Sequence, residues 1–166
     1  MNIQDILTMY DYNYWANKII LATSEKVPQE QFDKPASFPY GGLRGTLFHI
    51  LDTERGWRNL LQYNDPTIPD LEIKEFPNHA ALQERWMKEE QNMRAYLAGL
   101  RDEDLGARIH YNNYAGEPRS RILWHCLLHV VNHGTQHRGE AAALLTEYGQ
   151  SPGDLDFTLF LNENKL

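Results

Sequence analysis

Four histidines, His125, His129, His133 and His137, recur at steps of four inside a segment that is otherwise mostly apolar. A step of four rises ~6 Å along an α-helix and drifts ~40° around it, so a helix stacks these imidazoles as successive neighbours. An adjacent pair, one turn apart, can grip one ion. Members two steps apart are separated by ~12 Å along the axis, too far for two nitrogens that must each lie ~2.1 Å from a metal. At most one adjacent pair therefore serves a given ion, and spacing alone leaves His125/His129, His129/His133 and His133/His137 open. The competing reading is a stripe of partly exposed or hydrogen-bonded core histidines. It requires each buried imidazole to find a partner for its N–H or its lone pair.

A third ligand must come from elsewhere. His49 is the best candidate: it sits mid-helix, one residue before the apolar Ile50, and its helical neighbours Gly45, Thr46, Thr53 and Gly56 are small. Small neighbours leave room around an imidazole, as an open metal position requires, although the same glycines serve close helix packing equally well. His79, at a predicted helix start, and His110, in a loop or hairpin, are poorer candidates. Glu140, three residues after His137, reads either as a group that reaches the metal or its water, or as an exposed carboxylate paired with a basic neighbour. Cys126 lies two turns before His133 and reads as a small buried core residue.

Helical periodicity runs over four long segments. The first spans residues 2–26, with Ile3, Leu7, Tyr10, Tyr14 and Leu21 on one face and Asn2 and Asp5 at the spacing of a capping pair. The second spans residues 42–63 and is stopped by Asp65-Pro66; the third spans residues 78–100. The fourth spans residues 120–148, with Ser120 as N-cap and Gly149 just past its end. Residues 107–119 alternate weakly and predict a short hairpin or a loop. Tyr10, Tyr14 and Asn17, on the inner face of the first helix, line either a pocket or the core, and Thr53 is a further pocket-lining candidate. The pattern predicts an all-α fold, a four-helix bundle in which sites are built from side chains on facing helices.

The chain has 166 residues, 42% apolar and 23% charged, which fits a single globular domain over residues 1–166. Its net charge of −7 disfavours nucleic acid as a partner. One cysteine excludes an internal disulfide and points to a reducing compartment. No signal peptide and no membrane span is read, so a cytoplasmic location is expected.

The run His129-Val130-Val131-Asn132-His133-Gly134-Thr135-Gln136-His137-Arg138-Gly139-Glu140 resembles the last helix of the DinB family (DinB/YfiT-like). Tyr12-Asn13-Tyr14-Trp15-Ala16-Asn17 resembles the family's first helix. Leu47-Phe48-His49-Ile50 followed by Trp57 resembles its second, and Leu159-Phe160-Leu161 its closing segment. The resemblance implies a four-helix bundle, often dimeric, with a metal held by His49, His133 and His137. His129 then neighbours the site and, with Glu140, is a catalytic or supporting candidate. Where this chain has Glu140 the family commonly has glutamine.

Three neutral imidazoles leave coordination positions open, as in catalytic rather than structural zinc sites. Zinc or nickel is the first expectation and iron a further one, because imidazole suits them all. The resemblance implies a metal-dependent enzyme acting on a small molecule. A thiol S-transferase or isomerase using a low-molecular-weight thiol ranks first and a metal-dependent hydrolase second. A non-catalytic metal-binding or stress-response protein is the other class.

Overall fold

The computed structural model describes residues 1–65, 68–113 and 115–166. Pro66, expected to help stop the second helix, lies outside them. Among the described residues the chain is mostly helical, with six helices and one two-stranded sheet.

Helix α1 (Ile3–Ser24) starts where the sequence places it. Asn2 accepts from the Asp5 N–H at 3.0 Å, and the Asp5 carboxylate accepts from the Asn2 N–H at 2.8 Å, so two otherwise orphan donors are satisfied reciprocally. Within the expected linker, Pro28 opens a single-turn helix α2 (Gln29–Phe32). Helix α3 (Leu43–Tyr63) ends on Asn64, which adopts a left-handed conformation (φ 47) and returns its N–H to the Leu60 carbonyl. Helix α4 (His79–Ala98) is capped by Asn78, whose side chain accepts from the Ala81 N–H at 3.0 Å.

The fourth long helix begins later than expected. Ser120 is not its N-cap. It lies in strand β2 (Pro118–Ile122), which pairs antiparallel with β1 (Arg108–Asn112), Ser120 standing opposite His110. The strand runs directly into helix α5 (Leu123–Glu147), and the Leu123 N–H is met by the Ala107 carbonyl at 2.9 Å, so no side-chain cap is needed. At the other end Gly149 (φ +76) sits just past the helix, and the Gly149 and Gln150 N–H groups return to Thr146 and Leu145. Helix α6 (Phe157–Asn164) folds its rings onto Tyr12 of α1.

Helix α5 packs against α1 and α3, and α4 packs against α3 and α1. Apolar side chains gather in two clusters, one around Leu47, Leu51, Trp86 and Leu144, the other around Ile6, Tyr10, Met93 and Val131. Between them along the helices lies a level of buried polar side chains: Asn13, Asn17, Glu54, Glu89 and Arg138. Among the described residues no helix is long and apolar enough to cross a membrane.

Candidate metal centre

Helices α3 and α5 pack side by side, and His49 of α3 meets His133 and His137 of α5 at this contact. One ring nitrogen from each of the three lies within 4.8 Å of the others. The Nε2 atoms of His49 and His133 are 2.9 Å apart, so one ring donates its N–H to the lone pair of the other. The His133 and His137 ring centroids are 4.4 Å apart, as one helical turn dictates. Glu140, a further turn along, accepts from His137 Nδ1 at 2.7 Å. That bond orients the ring and leaves the Nε2 lone pair free to ligate a metal.

Burial holds His49 and His133 neutral. His49 is pushed down to about 4, first by desolvation and then by the neighbouring His137 charge, with Glu140 opposing. His133 falls to about 3, again mainly through burial, aided by His137, His49 and His129. Their lone pairs are therefore available at neutral pH. Three nitrogens around a tetrahedral ion with ~2.1 Å bonds stand ~3.4 Å apart, between the 2.9 Å that separates His49 from His133 and the 4.8 Å within which all three lie. Three imidazole nitrogen donors match zinc, nickel, iron or copper rather than magnesium or calcium.

The other histidines are placed differently. His129 is exposed; its ring lies 5.8 Å from that of His133 and 5.2 Å from that of Trp57. His125 stands edge to face with Trp124 at 4.0 Å. His79 is near Ser24 and Phe32, and His110 is on β1. A cleft of about 920 Å³ begins one turn along α3 from His49 and is lined by Thr53, Gly56, Trp57, Tyr111 and Arg119.

Tyr10, Tyr14 and Asn17 are buried in the core; Asn17 engages through its oxygen, while its Nδ2 has no hydrogen-bond partner among the described residues. Tyr10 donates to the Leu127 carbonyl at 3.2 Å and Tyr14 to Glu54 at 2.7 Å, while Asn17 accepts from Arg138 at 2.8 Å. Arg138 also donates to Asn13, whose amide in turn donates to Glu54 at 3.1 Å. This chain links α1, α3 and α5 beside the histidines. Burial raises the Glu54 carboxyl to about 7, with Glu89 adding to the rise and the Tyr14 and Asn13 hydrogen bonds opposing it. Sequence reasoning missed Glu54 as an inward carboxylate, although the Leu47, Ile50, Leu51, Glu54, Arg58 spacing puts it on the core stripe of α3. It also missed Tyr40, whose ring stacks on His49; the glycines that follow it, Gly41 and Gly42, were the available signal.

A family model described as the DinB family matches residues 1–165. The chain is also 25% identical, over 159 residues, to a curated relative named Protein DinB from Bacillus subtilis (strain 168). That alignment covers 92% of this chain and 91% of the relative. With the match spanning nearly every residue and three clustered histidines that fit metal binding, the chain belongs to the DinB family.

Proposed function

We propose that the chain binds one divalent metal through His49, His133 and His137 and uses it in a thiol-dependent S-transfer or isomerisation of a small molecule. The observation that carries this is the convergence of three imidazole nitrogens from two helices within 4.8 Å. A divalent ion bound there supplies a positive centre that favours the thiolate form of a thiol and leaves positions open beside the three ring nitrogens. The protein's own groups do the rest. Glu140 holds His137 with Nε2 toward the cluster. The α3–α5 contact keeps His49 opposite the histidine pair. The cleft past Thr53 and Trp57 offers space for the body of a substrate.

Zinc or nickel fits this donor set, with iron a further choice. Hydrolysis is the second reading, favoured by Glu140: the carboxylate beside the cluster keeps one oxygen besides the one bonded to His137. Family membership supports arrangement of the four long helices as a single-domain bundle working as a homodimer. The net charge of −7 supports a small-molecule partner over nucleic acid, and the single cysteine supports a cytoplasmic location.

Elemental analysis of the untagged protein beside His49→Ala and His133→Ala tests the reading. About one zinc, nickel or iron per chain is expected in the wild type and none in either variant, with helical circular dichroism retained. A metal-loaded protein is then screened for thiol addition to electrophiles. A wild type that stays metal-free after reloading with each ion rules the proposal out.

A further inference from the structure

Tyr40 occupies a position that the three-histidine reading leaves unexplained. Its ring lies nearly parallel to the His49 imidazole, with centroids 3.4 Å apart and planes 12° apart. The same ring meets His137 edge to face at 5.3 Å. Yet Tyr40 is 44% exposed, so burial in the core does not account for its placement.

The backbone beneath the ring is fixed by two close approaches. A Cβ on Gly45 would stand 1.9 Å from the Tyr40 carbonyl oxygen, and one on Gly42 would stand 1.9 Å from the Lys34 carbonyl oxygen. Both contacts are with backbone, which cannot swing aside, so only glycine lets the loop lie this close to the start of α3. Between them Gly41 (φ +78) turns the chain and donates its N–H to the Phe38 carbonyl at 2.9 Å. An Asp33–Arg44 ion pair at 3.1 Å ties the beginning of the loop to α3. A pinned backbone leaves Tyr40 few rotamers, and the one adopted sets its ring on His49.

The surroundings of the cluster are therefore asymmetric. Tyr40 covers the flank formed by His49 and His137. The His133 flank leads instead to His129, then to Trp57 and the cleft that Thr53 lines.

We propose that Tyr40 is a positioning residue and a gate for the metal site. Its ring holds the plane of the His49 imidazole and screens the His49–His137 flank from solvent. Entry of ligands is thereby confined to the side of His133 and Thr53. This inference rests on the three histidines binding a metal, and its test separates the two claims.

Wild type, Tyr40→Phe, Tyr40→Ala and Gly45→Ala are loaded with cobalt(II), and excess EDTA is added while the visible absorption of the bound ion is followed. Tyr40→Ala is expected to release cobalt about tenfold faster than wild type, whereas Tyr40→Phe stays within about twofold, because the ring rather than the hydroxyl does the covering. Gly45→Ala keeps the tyrosine but pushes the loop off α3, and it is expected to behave like Tyr40→Ala if its circular dichroism is native. Equal release from wild type and Tyr40→Ala, with cobalt bound by both, overturns the gate and leaves the metal site standing. A wild type that takes up no cobalt overturns both claims.

Discussion

Glu140 Oε2 accepts from His137 Nδ1–H at 2.7 Å, which fixes the tautomer and the direction of the ring. A carboxylate or a side-chain amide oxygen can accept that proton; a methyl group cannot. Glu140→Ala is therefore expected to weaken metal binding by roughly 10–100-fold, and Glu140→Gln by less than about tenfold. Competition against a chromophoric chelator measures both, and wild-type affinity in Glu140→Ala would show that the bond does not orient a ligand. Arg138 poses a different problem one residue from His137. It is 2% exposed, its hydrogen bonds reach Glu54 through the amide of Asn13, and its charge also acts on that carboxyl through space. Arg138→Met strips a donor from both Asn13 and Asn17 and leaves the Glu54 carboxylate with less compensation. A loss of about 3–5 kcal/mol in urea unfolding is expected, the scale seen when one partner of a buried charge pair is removed. A loss below about 1 kcal/mol would mean that the network relaxes without it.

At the level of elements, Gly134 of α5 faces Asn13 of α1. A Cβ on Gly134 would stand 2.9 Å from both Asn13 Oδ1 and Arg138 Nη1, whereas one on Gly139 meets nothing within 4 Å. The two glycines share a helix but predict opposite signs. Gly139→Ala gains about 0.5–1 kcal/mol from helix propensity, while Gly134→Ala loses about 1–3 kcal/mol through overpacking. Paired thermal melts read the difference, and two gains would show that α1 and α5 separate without cost. The same contrast between local and non-local forces explains which boundaries the sequence disclosed. Asn2 with Asp5, and Gly149 past α5, act within one helical turn, and both stand where expected. The N-cap expected at Ser120 was wrong because Ser120 pairs with His110 ten residues back, and the adjoining strand carries the chain into α5. The hairpin itself was visible only as weak alternation. Tyr40 was signalled only by the glycines that follow it, because its placement depends on the close approach of its carbonyl oxygen to Gly45, a contact without periodicity.

Across the whole molecule, polar side chains divide the apolar core at the level where the histidines meet. The step of four along α5 left three adjacent histidine pairs open, small neighbours made His49 the best third candidate, and the family resemblance singled out His133 and His137. The core-stripe spacing of Leu47, Ile50, Leu51 and Glu54 carried a further signal that went unread, a buried acid, and it ties stability to pH. Glu54 is raised from its ordinary 4.5 to about 7 in the folded chain. A raised carboxyl binds its proton more tightly when folded, so its contribution is fully present below about 4.5 and is lost as pH rises through about 7. The loss amounts to about 3 kcal/mol at the alkaline end. His49 and His133 act in the opposite sense in the metal-free protein. Their lowered values favour the folded state above about 6.5, and that contribution falls away as pH drops toward about 4 and about 3. The two effects oppose each other in the wild type, so its melting curve alone does not isolate Glu54. Comparison with Glu54→Gln does, because that variant keeps the histidines and removes only the titrating carboxyl. The melting temperature of Glu54→Gln minus that of wild type, both metal-free, is expected to rise steadily between pH 5 and pH 8, in step with deprotonation of a group near 7. A difference that stays constant across that range would mean that Glu54 is ionised throughout, sustained by Tyr14, Asn13 and the nearby Arg138. The buried acid would then be a permanent counter-charge to the arginine rather than a titrating group.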